Sequence, residues 1–233
     1  MKALDKFRRT VYTIIQRNRE HCSPTGDDKM PRSKTESHER IITAAKAEFL
    51  TYGFENASMR RIAAEAGITV SGLYKHFSGK EEMFAALVQP MLDRFFELYR
   101  RKEKEEYDAI EMRGSAAAFL NEDAVYTMEF IYDNLDEFRL LVCCSQGTRY
   151  EDYGHKLTEI EEVTSLEYIG ILRRQGVRVP DFDPEEFHLL VSSNVEAVLQ
   201  PIRHGFTREQ AMHYAATINT FFSKGWKWFC GIE

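Results

Sequence analysis

Between Ser58 and Phe77 the chain reads SMRRIAAEAGITVSGLYKHF, and this stretch restricts the fold more than any other. Ser58 is a good N-cap, and Ile62, Ala63 and Ala66 follow at helical spacing. Gly67 then permits a sharp turn, with Ile68 filling the corner. Thr69 can cap a second short helix whose inward face is Leu73 and Phe77. Ala63 is small where the two helices must approach closely. Two short helices joined by a glycine turn predict a helix-turn-helix.

The rest of the chain is legible as helix too. Gly and Pro fall at joints, alternating apolar and polar runs are scarce, and no internal repeat is visible, so an all-α fold is expected. A helix from Ser37 places Ile42, Ala45 and Phe49 inward and stops at Gly53. Ser78-Gly-Lys-Glu81 has the form of a capping box opening a longer helix through Met83, Phe84, Leu87, Leu92 and Phe95, with Pro90 inside it as a predicted kink. Further helices are expected over about 121–134, 136–144 and 151–175. Asp183-Pro184-Glu185-Glu186 and Thr207-Arg-Glu-Gln210 cap a final amphipathic hairpin.

Charge is uneven along the chain. Residues 1–80 hold 15 Lys/Arg against 9 Asp/Glu, whereas residues 81–233 hold 16 against 28. A basic front and an acidic remainder suit a polyanion-facing module joined to something else, although the tail before Ser37 supplies much of the surplus. Residues 1–36 are taken as a basic extension and linker, 37–82 as the helix-turn-helix domain and 83–233 as a regulatory and dimerisation domain. No apolar run approaches a membrane span, charges interrupt the N-terminal segment, and four cysteines show no framework spacing. A cytoplasmic protein without membrane contact is the expectation.

If the second short helix enters a DNA major groove, Thr69, Val70, Ser71 and Gly72 would face base edges. Val70 could touch a thymine methyl, and Gly72 would let the helix sit deep. Tyr74 and His76 would bond phosphate oxygens, Lys75 a base or a phosphate, and Lys80 a phosphate beside the first turn of the next helix. Ser58 and Arg60 would grip the opposite strand. Any one of these residues fits a packed ring or a solvated face equally well; the set at this spacing points to nucleic acid.

These residues resemble those of TetR-type regulators. Ile41-Ile42-x-Ala44-Ala45, Phe49 and Gly53-Phe54 are similar to that family's first helix. Ile62-Ala63-x-x-Ala66-Gly67-Ile68, Leu73-Tyr74-x-His76-Phe77 and Lys80-Glu81-Glu82-Met83-Phe84 resemble the rest of its DNA-binding domain, over about residues 38–85. The resemblance implies an all-helical homodimer with a divergent second domain that takes a small-molecule effector. It implies Tyr74, His76 and Lys80 as phosphate contacts, and Thr69, Val70, Ser71 and Lys75 as base readers of a palindromic operator in double-stranded DNA. A repressor released by its effector is the function expected.

Phe95, Tyr99, Phe119, Tyr126, Phe130 and Tyr168 are candidates for an effector pocket, as apolar walls of that kind line such sites. Phe187, Leu190, Val191, Val198, Ile218 and Phe222 form stripes that pairing of two hairpins would cover. No cofactor, metal site or catalytic residue is expected: His188, His204 and His213 lack ligand spacing, and Cys143-Cys144 reads as a packed pair. An all-α enzyme or metal-binding protein with a structural helix-turn-helix, or a regulator controlled by a protein partner, are the competing readings.

Overall fold

A computed structural model describes residues 32–113 and 124–232, with the backbone alone for 32–34 and 103–113. Among the described residues there are helices and turns but no strand. The helices are α1 (Arg32–Asn56), α2 (Met59–Glu65), α3 (Val70–Leu73), α4 (Lys80–Arg113), α5 (Ala124–Asp133), α6 (Leu135–Cys143), α7 (Tyr153–Arg174), α8 (Pro184–Arg203) and α9 (Arg208–Phe229). Helix α1 starts before Ser37, since no Gly or Pro interrupts the chain between Arg32 and Gly53. Helix α4 runs through Pro90 as one element.

Gly53 breaks the end of α1 at φ 71 and ψ 166. This is not a left-handed helical cap but an extended positive-φ conformation that is essentially restricted to glycine. Just beyond it, the carbonyls of Phe54 and Glu55 accept from Lys80.

The described residues divide into two compact units. One takes the chain as far as Arg94 and then Leu135–Asp152; the other takes Phe95–Asn134 and the chain from Tyr153 onward. The first unit, the head, therefore includes α6 and the loop after it, which the sequence reading assigned to the second domain. Its core is Ile41, Ala45, Phe49, Ile62, Leu73, Phe77, Met83, Phe84 and Val88, joined by Phe138, Leu140, Leu141 and Tyr150. The register of α1 is Ile41, Ala44, Ala45, Glu48 and Phe49 inward, so Ile41 and not Ile42 takes the buried position. Phe84 lies at the centre, with its ring centroid 5.4 Å from Phe49, 5.6 Å from Phe54 and 5.9 Å from Tyr150. Full burial of such a side chain contributes about 1.5–3 kcal/mol. Lys46 ties α1 to α6 through Glu137 at 2.8 Å and Asp136 at 3.3 Å. Burial works to lower the Lys46 pKa, but the two carboxylates outweigh it and raise the value overall.

In the second unit α9 packs on α5, and α8 packs on both α7 and α9. Tyr132 donates its hydroxyl to the Phe206 carbonyl at 2.9 Å, tying α5 to the turn between α8 and α9. Asp183 caps α8 by accepting from Glu185 N and Glu186 N, and Thr207 with Gln210 makes a reciprocal capping box on α9. Both caps stand where the sequence placed them. A core of Tyr168, Ile169, Leu172, Val179, Phe187, Val191 and Cys230 fills the space between α7, α8 and the end of α9.

Candidate nucleic-acid interface

Two caps shape the helix-turn-helix. Ser58 holds an extended backbone at the start of α2 and accepts from Arg61 N. Thr69 does the same for α3, accepting from Gly72 N at 3.0 Å. A Cβ on Gly72 would stand 3.2 Å from that Thr69 hydroxyl oxygen. Gly72 thus keeps the cap intact from inside the chain, a reason independent of any groove. After Leu73 the helix tightens: Lys75 N bonds Gly72 O and His76 N bonds Leu73 O, which brings Phe77 into the core.

This winding leaves one side of the turn outside. Tyr74 is 53% exposed, Ser71, Lys75, Thr69 and Arg60 are exposed, and Val70, Gly72 and Ser58 are half-buried. His76 is half-buried against His38, with ring centroids 6.2 Å apart, and His38 stacks on Phe77 at 5.1 Å. The candidates on α3 and its following turn share one continuous strip of the head, and Ser58 and Arg60 open α2 beside it.

Lys80 differs from the expectation. Its ammonium donates to Phe54 O at 2.9 Å and Glu55 O at 3.0 Å and lies 4.9 Å from the Phe54 ring centroid. In this conformation the group has partners inside the head. The capping box expected from Ser78 to Glu81 is not formed. Glu82, not Glu81, accepts from Ser78 N at 2.6 Å and Ser78 Oγ at 2.8 Å. Glu81 faces Arg149, whose backbone N–H it accepts at 3.4 Å.

The sequence reading missed a buried carboxylate. Glu48 is 8% exposed, accepts from Ser58 N at 2.7 Å and from Arg61 Nε at 2.8 Å, and so fixes the start of α2 on α1. Arg61 also donates to Asn56 O at 2.9 Å and lies 4.3 Å over the Tyr52 ring. The hydrogen bond to Glu48 raises the Arg61 pKa. One signal was available: Glu48 shares the helical face of Ile41, Ala44 and Ala45, where a carboxylate needs a partner.

The remaining candidates lie in the second unit. Phe95 and Phe130 meet at 5.5 Å, Tyr99 donates to Thr164 Oγ1 at 3.1 Å, and Lys102 Nζ stands 3.4 Å over the Tyr126 ring. Tyr168 is buried in the α7–α8 core, and Phe119 lies outside the described residues. The interface stripe is divided. Phe187, Val191 and Ile218 are buried within the chain itself, Val198 and Phe222 are half-buried, and of the six only Leu190 is exposed. Large apolar groups left outside on the hairpin are Leu189 at 64%, Leu190 at 44%, Phe221 at 72% and Trp228 at 78%.

Comparison with known proteins accords with this geometry. Residues 41–87 match the family of bacterial regulatory proteins known as the tetR family. An HTH-type transcriptional regulator of Staphylococcus aureus (strain USA300) is 30% identical over 118 residues, which cover 51% of this chain and 58% of that relative. Its counterpart in strain MRSA252 is 29% identical over 118 residues, with the same shares covered. The chain thus spans little more than half the length of these curated relatives. Among solved structures, a TetR-family regulator from Streptomyces coelicolor A3 superposes with a TM-score of 0.53 at 18% identity, covering 79% of this chain and 90% of that one. A TetR-like regulator from Rhodococcus sp. RHA1 gives 0.52 at 17% identity, covering 87% and 100%. At such identities the likeness is one of fold. No helix among the described residues is long and apolar enough to cross a membrane.

Proposed function

We propose that this chain, whose residues 41–87 match the tetR family of bacterial regulatory proteins, is a dimeric, sequence-specific DNA-binding regulator of that family, a repressor that a small molecule releases from a palindromic operator. The observation that carries the DNA reading is the exposed strip Ser71, Tyr74 and Lys75 on a turn whose other side, Leu73 and Phe77, is locked in the core. A rigid short helix with an uncovered outer side fits a major groove. Val70 and Ser71 read base edges; Tyr74, Lys75, His76, Arg60 and Ser58 hold the backbone on either side. The Thr69 hydroxyl, having accepted from Gly72 N, keeps its proton to donate to DNA.

Two copies present two such turns, so half-sites are related by two-fold symmetry and lie in successive major grooves. Leu189, Leu190, Phe221 and Trp228 are the apolar groups that pairing of the hairpins would cover. The effector enters the second unit near Phe95, Tyr99, Tyr126 and Phe130, where aromatic rings meet a cation and a partly buried hydroxyl pair. Selection of duplexes from a random-sequence pool, followed by footprinting, tests the reading. A symmetric double footprint is expected, with affinity falling steeply as salt rises. Failure to enrich any duplex, or a single asymmetric half-site, would sink it.

A further inference from the structure

We propose that Lys80 is a positioning residue. Its ammonium pins the end of α1 to the start of α4, closing the helix-turn-helix at its base and setting the attitude of the Thr69–His76 turn on DNA. The inference rests on the DNA-binding reading above and assigns Lys80 a different task from a phosphate contact.

The two bonds from Lys80 reach back 26 and 25 residues, to Phe54 O and Glu55 O. All of α2, the glycine turn and α3 lie between those anchor points. Both carbonyls lie in the last turn of α1, beyond which no helical turn follows to claim them, and Phe54 O also accepts from Ala57 N at 3.3 Å. The acceptor side is itself fixed, since Phe54 N donates to Cys144 O at 3.0 Å. An ammonium carries three donors, and two are spent here, with the Phe54 ring flanking the group. A phosphate approaching the first turn of α4 would also meet Glu81 and Glu82, and Glu82 already takes both donors of Ser78. The charge therefore sits where it is useful to the protein's own carbonyls and poorly placed for an incoming anion.

Two measurements on the full chain test this. In limiting acetylation of the DNA-free protein, read by mass spectrometry, Lys80 should react at least about tenfold more slowly than exposed Lys75, since its amine is released only by local opening. Equal rates would overturn the clamp. The second measurement uses a duplex selected by the wild-type chain from a random pool. Lys80→Met should weaken binding to that duplex about tenfold, on the scale of one charge-assisted hydrogen bond, with binding to random duplex little changed. The dependence of log affinity on log salt should keep its wild-type slope, whereas Arg60→Met should lower it by about 0.9 for the phosphate lost. Lys80→Arg, which retains donors, should recover part of the affinity. A slope lowered by about 0.9 in Lys80→Met would make Lys80 a phosphate ligand and refute the proposal. A wild-type chain that selects no duplex refutes the DNA reading instead, while the acetylation ratio still decides the clamp.

Discussion

Replacing Glu48 by Ala isolates the contact that seats α2. In the native head the Glu48 carboxylate accepts from Ser58 N at 2.7 Å and Arg61 Nε at 2.8 Å. Removing it leaves the Ser58 N–H, in a partly buried position, without its acceptor. An unsatisfied donor of this kind costs about 1–3 kcal/mol. Arg61 is half exposed and still reaches Asn56 O, so its charge returns to water and adds little. The expected loss is therefore about 2 kcal/mol, which should appear as exchange of the Ser58 amide about thirtyfold faster and a melting temperature about 4–8 °C lower. Hydrogen exchange read at residues 56–62 is the assay, with amides of α9 as the unchanged control. Glu48→Gln keeps an acceptor for Ser58 but turns a donor toward Arg61, and should fall between wild type and Ala. If Glu48→Ala leaves the Ser58 exchange rate within about twofold of wild type, the carboxylate does not seat α2 and the reasoning is wrong.

Gly53→Ala, forced into φ 71 and ψ 166, should destabilise the head by about 1–3 kcal/mol in urea unfolding; a midpoint equal to wild type would refute the strain. Phe221→Glu with Trp228→Glu should convert a sedimenting dimer to monomer without unfolding it, and an unchanged dimer would move the interface elsewhere. In the native protein at pH 8, alkylation should reach exposed Cys143 first and half-buried Cys144 more slowly, because burial raises its pKa; buried Cys230 should be labelled only on unfolding. Burial pushes the Cys230 thiol from 9.0 to about 11. The folded state thus holds that proton more tightly than the unfolded state, so its contribution is intact below pH 9.0 and lost as pH rises toward about 11. Cys230→Ala should flatten the stability profile in that window.

Local chemistry made much of the fold readable. Caps at Ser58, Thr69, Asp183 and Thr207 and the turn at Gly67 work within a few residues, so their pattern survives in the sequence. Contacts across long separations did not. Nothing near Lys80 announces Phe54 and Glu55 as its acceptors, and nothing near Glu81 announces Arg149. The hairpin shows a second limit. Phe187, Val191 and Ile218 mark an apolar stripe, but periodicity alone does not say whether the same chain or another copy covers it. The exposed strip on the head was legible because Tyr74 and Lys75 lie between the buried anchors Leu73 and Phe77.

The head is assembled from two separated stretches of chain, and this governs when it can exist during synthesis. Residues through Arg94 leave the ribosome well before Leu135–Asp152. Until that second stretch arrives, Phe84 lacks Tyr150, Lys46 lacks Asp136 and Glu137, and the Phe54 amide lacks the Cys144 carbonyl. At about 5–20 residues per second the wait lasts several seconds, with the helix-turn-helix made but its supporting side bare. A chain truncated before Leu135 would carry every residue proposed to read DNA and still lack the pieces that hold them in place. Any graft of this head onto another protein must therefore carry residues 135–152 as well.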